Sequence, residues 1–118
     1  MTKDNNWYSP SRIKSLLNQD NYEALSDGRW PFNDGEIEEI VRGQFNPFPV
    51  APFVRCMEVK ADIDRALTEL PLELRFIAIG RYSLNLSKNE LERYIDRVKT
   101  KEHLAITQMA EFLGWKGR

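Results

Sequence analysis

From Val54 onward the apolar residues recur at the three- and four-residue spacing of an α-helix, and this pattern limits the fold more than any other feature. The pattern is interrupted at Leu70-Pro71, because proline disfavours helix at the residue before it yet suits the first turn of a new helix. The first helical segment has its apolar stripe at Val54, Met57, Ala61, Ile63, Ala66, Leu67 and Leu70. No segment has the polar and apolar alternation of a convincing strand. The sequence therefore predicts an all-α protein.

Three further helices are predicted beyond this junction, over residues 72–85, 88–97 and 100–113. The middle helix opens with Ser87 and Glu90 at the spacing of a capping box, in which each side chain satisfies the other residue's free backbone N–H. The last helix begins near Thr100 and ends at Gly114, a residue type that suits the backbone conformation after a helix. The C-terminal half is therefore predicted to hold several helices joined by short turns.

The N-terminal half carries weaker helix signals. Ser9-Pro10 predicts the start of a short helix that ends near Asn18, because serine can cap free N–H groups and proline at the first position loses none. A loop is expected next, with one helical turn around Tyr22–Leu25. A second short helix is expected over residues 34–43, where acidic residues occupy the first turn.

Residues 44–53, QFNPFPVAPF, interleave three prolines with Phe45, Phe48 and Phe53. Prolines at this density exclude a helix and a central strand. Two interpretations are open: the phenylalanines form an extended strip that binds a protein partner, or they belong to an ordered linker and pack on their own domain. In either case we expect residues 1–53 to form short helices and a Pro/Phe-rich linker within the same compact unit as the helical domain over residues 54–118.

Composition narrows the class of protein. The 118 residues suit one compact domain, and the single cysteine, Cys56, excludes an internal disulfide and a cysteine-based zinc site. The chain does not open on a basic segment followed by an apolar run, and no stretch approaches the roughly 20 apolar residues of a membrane span, so we expect a cytoplasmic protein without membrane contact. Residues 1–53 hold 5 basic and 8 acidic side chains, whereas residues 54–118 hold 12 and 10. This mild asymmetry favours a basic C-terminal surface.

The residue types that carry out catalysis are not grouped in this sequence. The glycines are scattered and form no phosphate-binding loop. His103 is the only histidine, so a Ser-His or Cys-His arrangement depends on one side chain, and a surface histidine or a phosphate contact is the simpler interpretation. Carboxylate pairs such as Asp62/Asp64 and Glu90/Glu92 are two residues apart and therefore point to different sides of a helix. We expect no enzymatic activity, no cofactor and no metal.

The last predicted helix has two different faces. A helical wheel of residues 100–113 places the apolar side chains together at Ala105, Ile106, Met109, Ala110, Phe112 and Leu113. The opposite face carries Thr100, Thr107, Gln108 and Glu111, flanked by Lys101 and His103. Small hydrogen-bonding groups with cations near the helix N-terminus suit the DNA major groove, although any peripheral helix of a bundle has one polar face.

The order of motifs between residues 62 and 115 resembles two groups of transcription proteins. The stretch IDRALTELPLELRFIAIGRYSLNLSKNELERYID has an LP helix junction, an arginine four residues after the proline and a capped helix, and it is similar to region four of bacterial sigma factors. The closing HLAITQMAEFLGW looks like the ending of phage ArpU-like late transcription regulators, which share that layout. The resemblance implies a small helical domain with a C-terminal helix-turn-helix, in which 72–85 and 88–97 support a recognition helix over 100–113.

The resemblance also implies which residues contact DNA. In the family the first residues of the recognition helix contact bases, and the matching positions here are Lys99, Thr100, Lys101 and His103. Arg93 and Arg97 lie just before the helix, where phosphates are expected, and Gln108 is added from the helical wheel alone.

Three further side chains and the turn depart from the pattern expected of a DNA-binding helix-turn-helix. The same register places Glu102 and Glu111 near phosphates or bases, and Leu104 on the groove side. The turn at DRVK lacks the glycine that is common in this motif.

Two hypotheses of different classes follow. The first is a phage or prophage-type transcriptional regulator that binds double-stranded DNA, with bacterial RNA polymerase and a second copy of the chain as further expected partners. The second is a helical protein-interaction module without enzymatic activity, such as a phage inhibitor or adaptor that binds a host protein through Phe45, Phe48 and Phe53.

Overall fold

The structure, a computed structural model, describes residues 6–32 and 52–117. These two ranges contain helices and turns without any strand, so the prediction of an all-α protein is confirmed. The helices are α1 (Pro10–Leu17), α2 (Gln19–Ser26), α3 (Pro52–Glu69), α4 (Leu72–Ala78), α5 (Lys88–Glu92) and α6 (Val98–Phe112). A 3-10 turn at Asn6–Tyr8 precedes α1, and a π-helical turn at Ile79–Ser83 continues α4. The predicted helix over 34–43 lies outside the described residues, and so do Phe45 and Phe48 of the Pro/Phe-rich segment.

Local capping groups set the bounds of the first two helices. The Ser9 hydroxyl accepts a hydrogen bond from the Arg12 backbone N–H at 3.2 Å, which confirms the predicted start of α1. The side chain of Asn18 accepts from the backbone N–H groups of Asp20 and Asn21, so the residue that follows α1 also caps α2. Because the next helix begins at once, the loop predicted after Asn18 is wrong, and the single turn expected there is an eight-residue helix.

The Leu70-Pro71 junction forms as predicted, and Arg75 completes it. At the junction, Pro71 has an extended backbone (φ −54°, ψ 151°) between the end of α3 and the start of α4. The Arg75 guanidinium donates hydrogen bonds to the carbonyl oxygens of Leu67 and Thr68, both at 3.0 Å, and of Leu70 at 3.2 Å. The Leu67 carbonyl also accepts from the Leu70 N–H, whereas the last carbonyls of a helix otherwise have no partner within the helix, so this side chain adds donors there and fixes the corner.

The buried face of α3 differs from the predicted stripe. Its buried side chains are Cys56, Val59, Ile63 and Ala66. Met57, at 49% exposure, and Ala61 are exposed instead, because neither falls in the three- and four-residue spacing of these four buried positions. The buried residues of α3 join those of α1, α2, α4 and α6 in one hydrophobic cluster, so the N-terminal helices share a core with the C-terminal ones.

A second, smaller hydrophobic cluster packs against the start of α6. It joins Ile77 of α4, Leu91 of α5, and Ile95 and Val98 from the segment that enters α6. These four side chains are between 0% and 7% exposed, so they fix where the chain turns from α5 into α6. Within the described ranges, no helix has the length and apolar character needed to cross a membrane.

Candidate nucleic-acid interface

The capping box at the start of α5 is confirmed. The Ser87 hydroxyl accepts from the Glu90 backbone N–H at 3.0 Å, and the Ser87 backbone N–H donates to the Glu90 carboxylate at 2.8 Å. The second of these hydrogen bonds favours the charged carboxylate and is the main reason that the pKa of Glu90 is lowered. Glu90 is thus held by its own helix end.

The predicted helix over 88–97 is too long, because α5 ends at Glu92. The Leu91 carbonyl accepts from the backbone N–H groups of both Tyr94 and Ile95, which closes the helix into a turn. Arg97 then adopts the left-handed conformation, with φ 57° and ψ 45°, and α6 begins at Val98, two residues before the predicted start. Arg97 therefore adopts, with some backbone strain, a conformation that glycine adopts most easily.

The two faces of α6 are largely as predicted. Ala105, Ile106, Met109, Ala110 and Leu113 are buried. Phe112 is the exception at 47% exposure, because it lies at an open corner between α3 and α6, beside Leu70 and Gln108. On the outer face, Thr100 and His103 are exposed together with Leu104, which is 44% exposed as the register predicted.

The predicted DNA-binding side chains fall into two sets. Arg93, Arg97 and Lys99 are exposed in the turn and at the first residues of α6, and none of them forms an ion pair with another described residue. Thr100 and His103 continue this exposed surface along the helix. We call Arg93, Arg97, Lys99, Thr100 and His103 the α6 entry surface.

Lys101 and Gln108 lie apart from the α6 entry surface. The Lys101 ammonium is 2.9 Å from the Glu73 carboxylate in the first turn of α4, and the lysine side chain is only 26% exposed. Gln108 is half-buried and lines the corner between α3 and α6 with Glu69 and Leu70. Both side chains therefore face neighbouring helices, seven residues apart on the same side of α6.

Glu102 does not lie on the exposed face of α6, where the register placed it. Its side chain is 15% exposed and is bound by the Arg81 guanidinium of the π-helical turn, which also donates to the Leu86 carbonyl oxygen at 3.0 Å. Burial, together with the charge of Glu102, raises the pKa of Tyr82 to about 12. Glu111 is exposed at the far end of α6, eight residues after His103, which is about 12 Å along a helix axis.

An apolar strip borders the α6 entry surface. Leu72, Phe76 and Tyr94 are 74%, 44% and 77% exposed. Phe76 and Tyr94 line a shallow groove of about 210 Å³ that also includes Arg93. Aromatic side chains beside cations suit contacts with nucleotides or with a protein partner, so the strip fits both hypotheses.

Sequence reasoning missed both ion pairs that hold the start of α6. Arg81 and Glu102 are 21 residues apart, and Glu73 and Lys101 are 28 apart, so no local spacing links them. The available signal in the sequence was the pair of opposite charges at Lys101 and Glu102. Because adjacent helical residues point to different neighbours, such a pair indicates separate partners for the two side chains. Comparisons with protein-family models, with curated proteins and with solved structures gave no match for this chain.

Proposed function

We propose that this chain is a phage or prophage-type transcriptional regulator that binds double-stranded DNA through a sigma-region-four-like helix-turn-helix formed by α4, α5 and α6. The observation that carries the proposal is the α6 entry surface. Its three cations, Arg93, Arg97 and Lys99, are exposed and form no ion pair within the described part of the chain. In helix-turn-helix proteins, the N-terminal residues of the second helix reach base edges, while neighbouring cations bind phosphates.

The position of Glu102 adds support. A carboxylate on the groove side of a recognition helix would repel phosphates, but Glu102 is turned inward and neutralised by Arg81.

Two acidic residues next to the α6 entry surface are expected to limit the affinity for DNA. Glu92 and Asp96 are exposed and alternate with Arg93 and Arg97. We therefore expect moderate affinity that falls with salt, with a slope of log affinity against log salt concentration of about −3, one unit for each of the three exposed cations.

Fluorescence anisotropy of the full chain with labelled promoter and phage DNA fragments tests the proposal. The double variant Arg97→Ala/Lys99→Ala should flatten the salt slope by about two units, one for each lost phosphate contact. The matched control, Arg29→Ala/Lys14→Ala, removes one arginine and one lysine from exposed positions in the N-terminal region and should leave the slope unchanged. No binding to any fragment at low salt, or equal loss in both double variants, would contradict the proposal.

The resemblance adds two further partners to this proposal. Bacterial RNA polymerase should co-purify with the full chain, and a second copy of the chain is expected if the DNA site contains paired half-sites. Sedimentation of the DNA complex separates one copy per site from two. A complex with one copy and no polymerase retention would leave DNA binding as the whole of the proposed activity.

A second candidate function, a protein-interaction module, is favoured by one observation. Phe53 and Met57 lie one turn apart at the start of α3 and are 58% and 49% exposed. Capture from bacterial lysate tests this candidate with the variant Phe53→Ala/Met57→Ala. Loss of a captured partner in this variant, with full capture by Arg97→Ala/Lys99→Ala, would favour the interaction module over the DNA-binding regulator.

A further inference from the structure

A cavity of about 430 Å³ opens between α2, α3 and the π-helical turn. Its apolar walls are formed by Leu17, Leu67, Ile79 and Leu84, and none of its lining residues comes from α5 or α6. Pockets that bind small molecules commonly measure between about 300 and 1,000 Å³ and have mainly apolar walls with a few polar groups. The cavity therefore has the size and character of a small-molecule site.

Hydrogen bonds hold the walls of this cavity in place. The Ser83 hydroxyl donates to the Leu17 carbonyl oxygen at 2.7 Å, which ties the π-helical turn to the end of α1. The Tyr22 hydroxyl donates to the Asp64 carboxylate at 2.5 Å, which ties α2 to α3. Lys60 neutralises the same carboxylate at 3.1 Å, so this link carries no free charge. A cavity whose walls are already fixed loses little conformational entropy when a ligand enters.

The charge at the rim of the cavity is negative. Glu23 is the only charged side chain among the lining residues, and Gln19 donates to one of its carboxylate oxygens at 3.2 Å. That contact orients the Glu23 carboxylate without neutralising it. The rim therefore favours a cationic group, and a carboxylate accepts charge-assisted hydrogen bonds from an ammonium group particularly well.

We propose that this cavity binds a small amphipathic amine, with an apolar body against Leu17, Leu67 and Ile79 and an ammonium group at Glu23. The inference does not depend on DNA binding, because the α6 entry surface contributes nothing to the cavity. A small molecule fits better than a protein partner, since stable protein interfaces bury about 800 Å² on each side. Of the large apolar side chains exposed in the described ranges, only Leu84 borders this cavity.

Methyl NMR titration of the full chain with phenethylamine tests the proposal. Two ligands of nearly the same shape, 2-phenylethanol and 3-phenylpropanoate, replace the ammonium group by a neutral and an anionic group. The expected result is that shifts concentrate on the methyl groups of Leu17, Leu67, Ile79 and Leu84. The amine should bind about fivefold more tightly than the alcohol, which is the upper range for one exposed charge pair, and the anion should bind least.

Substitution of the carboxylate completes the test. Glu23→Gln should lower the affinity for phenethylamine about fivefold and leave that for the alcohol unchanged, whereas Asp20→Asn, on the same helix but outside the cavity, should change neither. Equal binding of amine and alcohol by the unaltered chain, or shifts at other methyl groups, would overturn the proposal. Binding of a lysine-containing peptide at these methyl groups without binding of phenethylamine would identify a protein-docking site instead and would equally overturn it.

Discussion

The cations of this protein are used differently in two regions. Around Trp7, the Arg12 guanidinium lies 4.3 Å from the centre of the Trp7 ring and 4.8 Å from that of Phe32. Arg55 lies 4.9 Å from the same Trp7 ring and 5.9 Å from Trp30. These arginines are enclosed by aromatic rings that also pack against each other, so their charge is used to hold the fold together.

At the start of α6 the arrangement is the opposite. Arg93, Arg97 and Lys99 have exposed side chains, and the ion pairs within the described ranges leave them out. Lys101 and Arg81, by contrast, are the cations that attach α6 to α4 and to the π-helical turn. Cations near α6 can therefore be sorted by their partners: those in ion pairs position the helix, and the exposed ones outside ion pairs are available to a polyanion.

The largest effect is expected from a cation that holds the fold. Arg75→Ala removes three hydrogen bonds to the carbonyl oxygens at the end of α3, and we expect a loss of about 2 kcal/mol in the free energy of unfolding. Thermal denaturation should show a melting temperature lower by about 8 °C. Arg93→Ala is the matched control and should change stability by less than about 0.5 kcal/mol. Equal effects of the two substitutions would break the distinction between paired and free cations.

A somewhat smaller effect is expected at the inner ion pair of α6. Arg81→Met leaves the Glu102 carboxylate largely enclosed without its partner, which should cost about 1.5 kcal/mol of stability. The double variant Arg81→Met/Glu102→Gln removes the unpaired charge and should recover part of that loss in urea denaturation. If the double variant is less stable than Arg81→Met, the pair does not act as the contacts indicate.

Most of the features predicted correctly from the sequence have signals that lie within four residues, although the Asn18 cap that starts α2 was missed. Ser9-Pro10, the Leu70-Pro71 junction and the capping box of Ser87 and Glu90 all appear where the spacing placed them, because a cap satisfies backbone groups of its own helix end. The buried face of α6 followed from periodicity, with Phe112 as the exception.

The remaining features depend on contacts between distant segments. The helix α5 ends early because Val98 is buried against Ile77 and Leu91. This contact requires the chain to leave α5 and begin a new helix at Val98. The inward turn of Glu102 depends on Arg81, and no spacing rule links two residues that far apart in the sequence. The sequence pattern grouped the residues of the α6 entry surface with Lys101 and Gln108, and it could not show that these two side chains face neighbouring helices.

A smaller effect on the free energy of unfolding, expected at alkaline pH, tests the surroundings of Glu102 again. Burial, with the charge of Glu102, raises the pKa of Tyr82 from 10.0 to about 12, so above pH 10 the unfolded chain loses this proton while the folded chain keeps it. Stability should therefore fall as the pH rises from 10 to 12, and Tyr82→Phe should reduce that fall. Tyr22, whose pKa is also raised, should retain part of the dependence, and Tyr94→Phe, at an exposed position, is the control. Urea denaturation at successive pH values provides the measurement, and an unchanged pH dependence in Tyr82→Phe would contradict the expected coupling.

The smallest effect on stability is expected at Arg97, where the backbone and the charge make opposite demands. Its left-handed conformation, with φ 57°, favours glycine, so Arg97→Gly should be more stable than Arg97→Ala by about 0.5–1 kcal/mol. Both variants lose the same cation, and under the proposed function both should reduce the salt slope of DNA binding by about one unit. Chemical denaturation and anisotropy on the same pair of variants separate the two demands. An arginine that tolerates backbone strain is best explained by a use for its charge, and that explanation would be lost if Arg97→Gly bound DNA as the unaltered chain does.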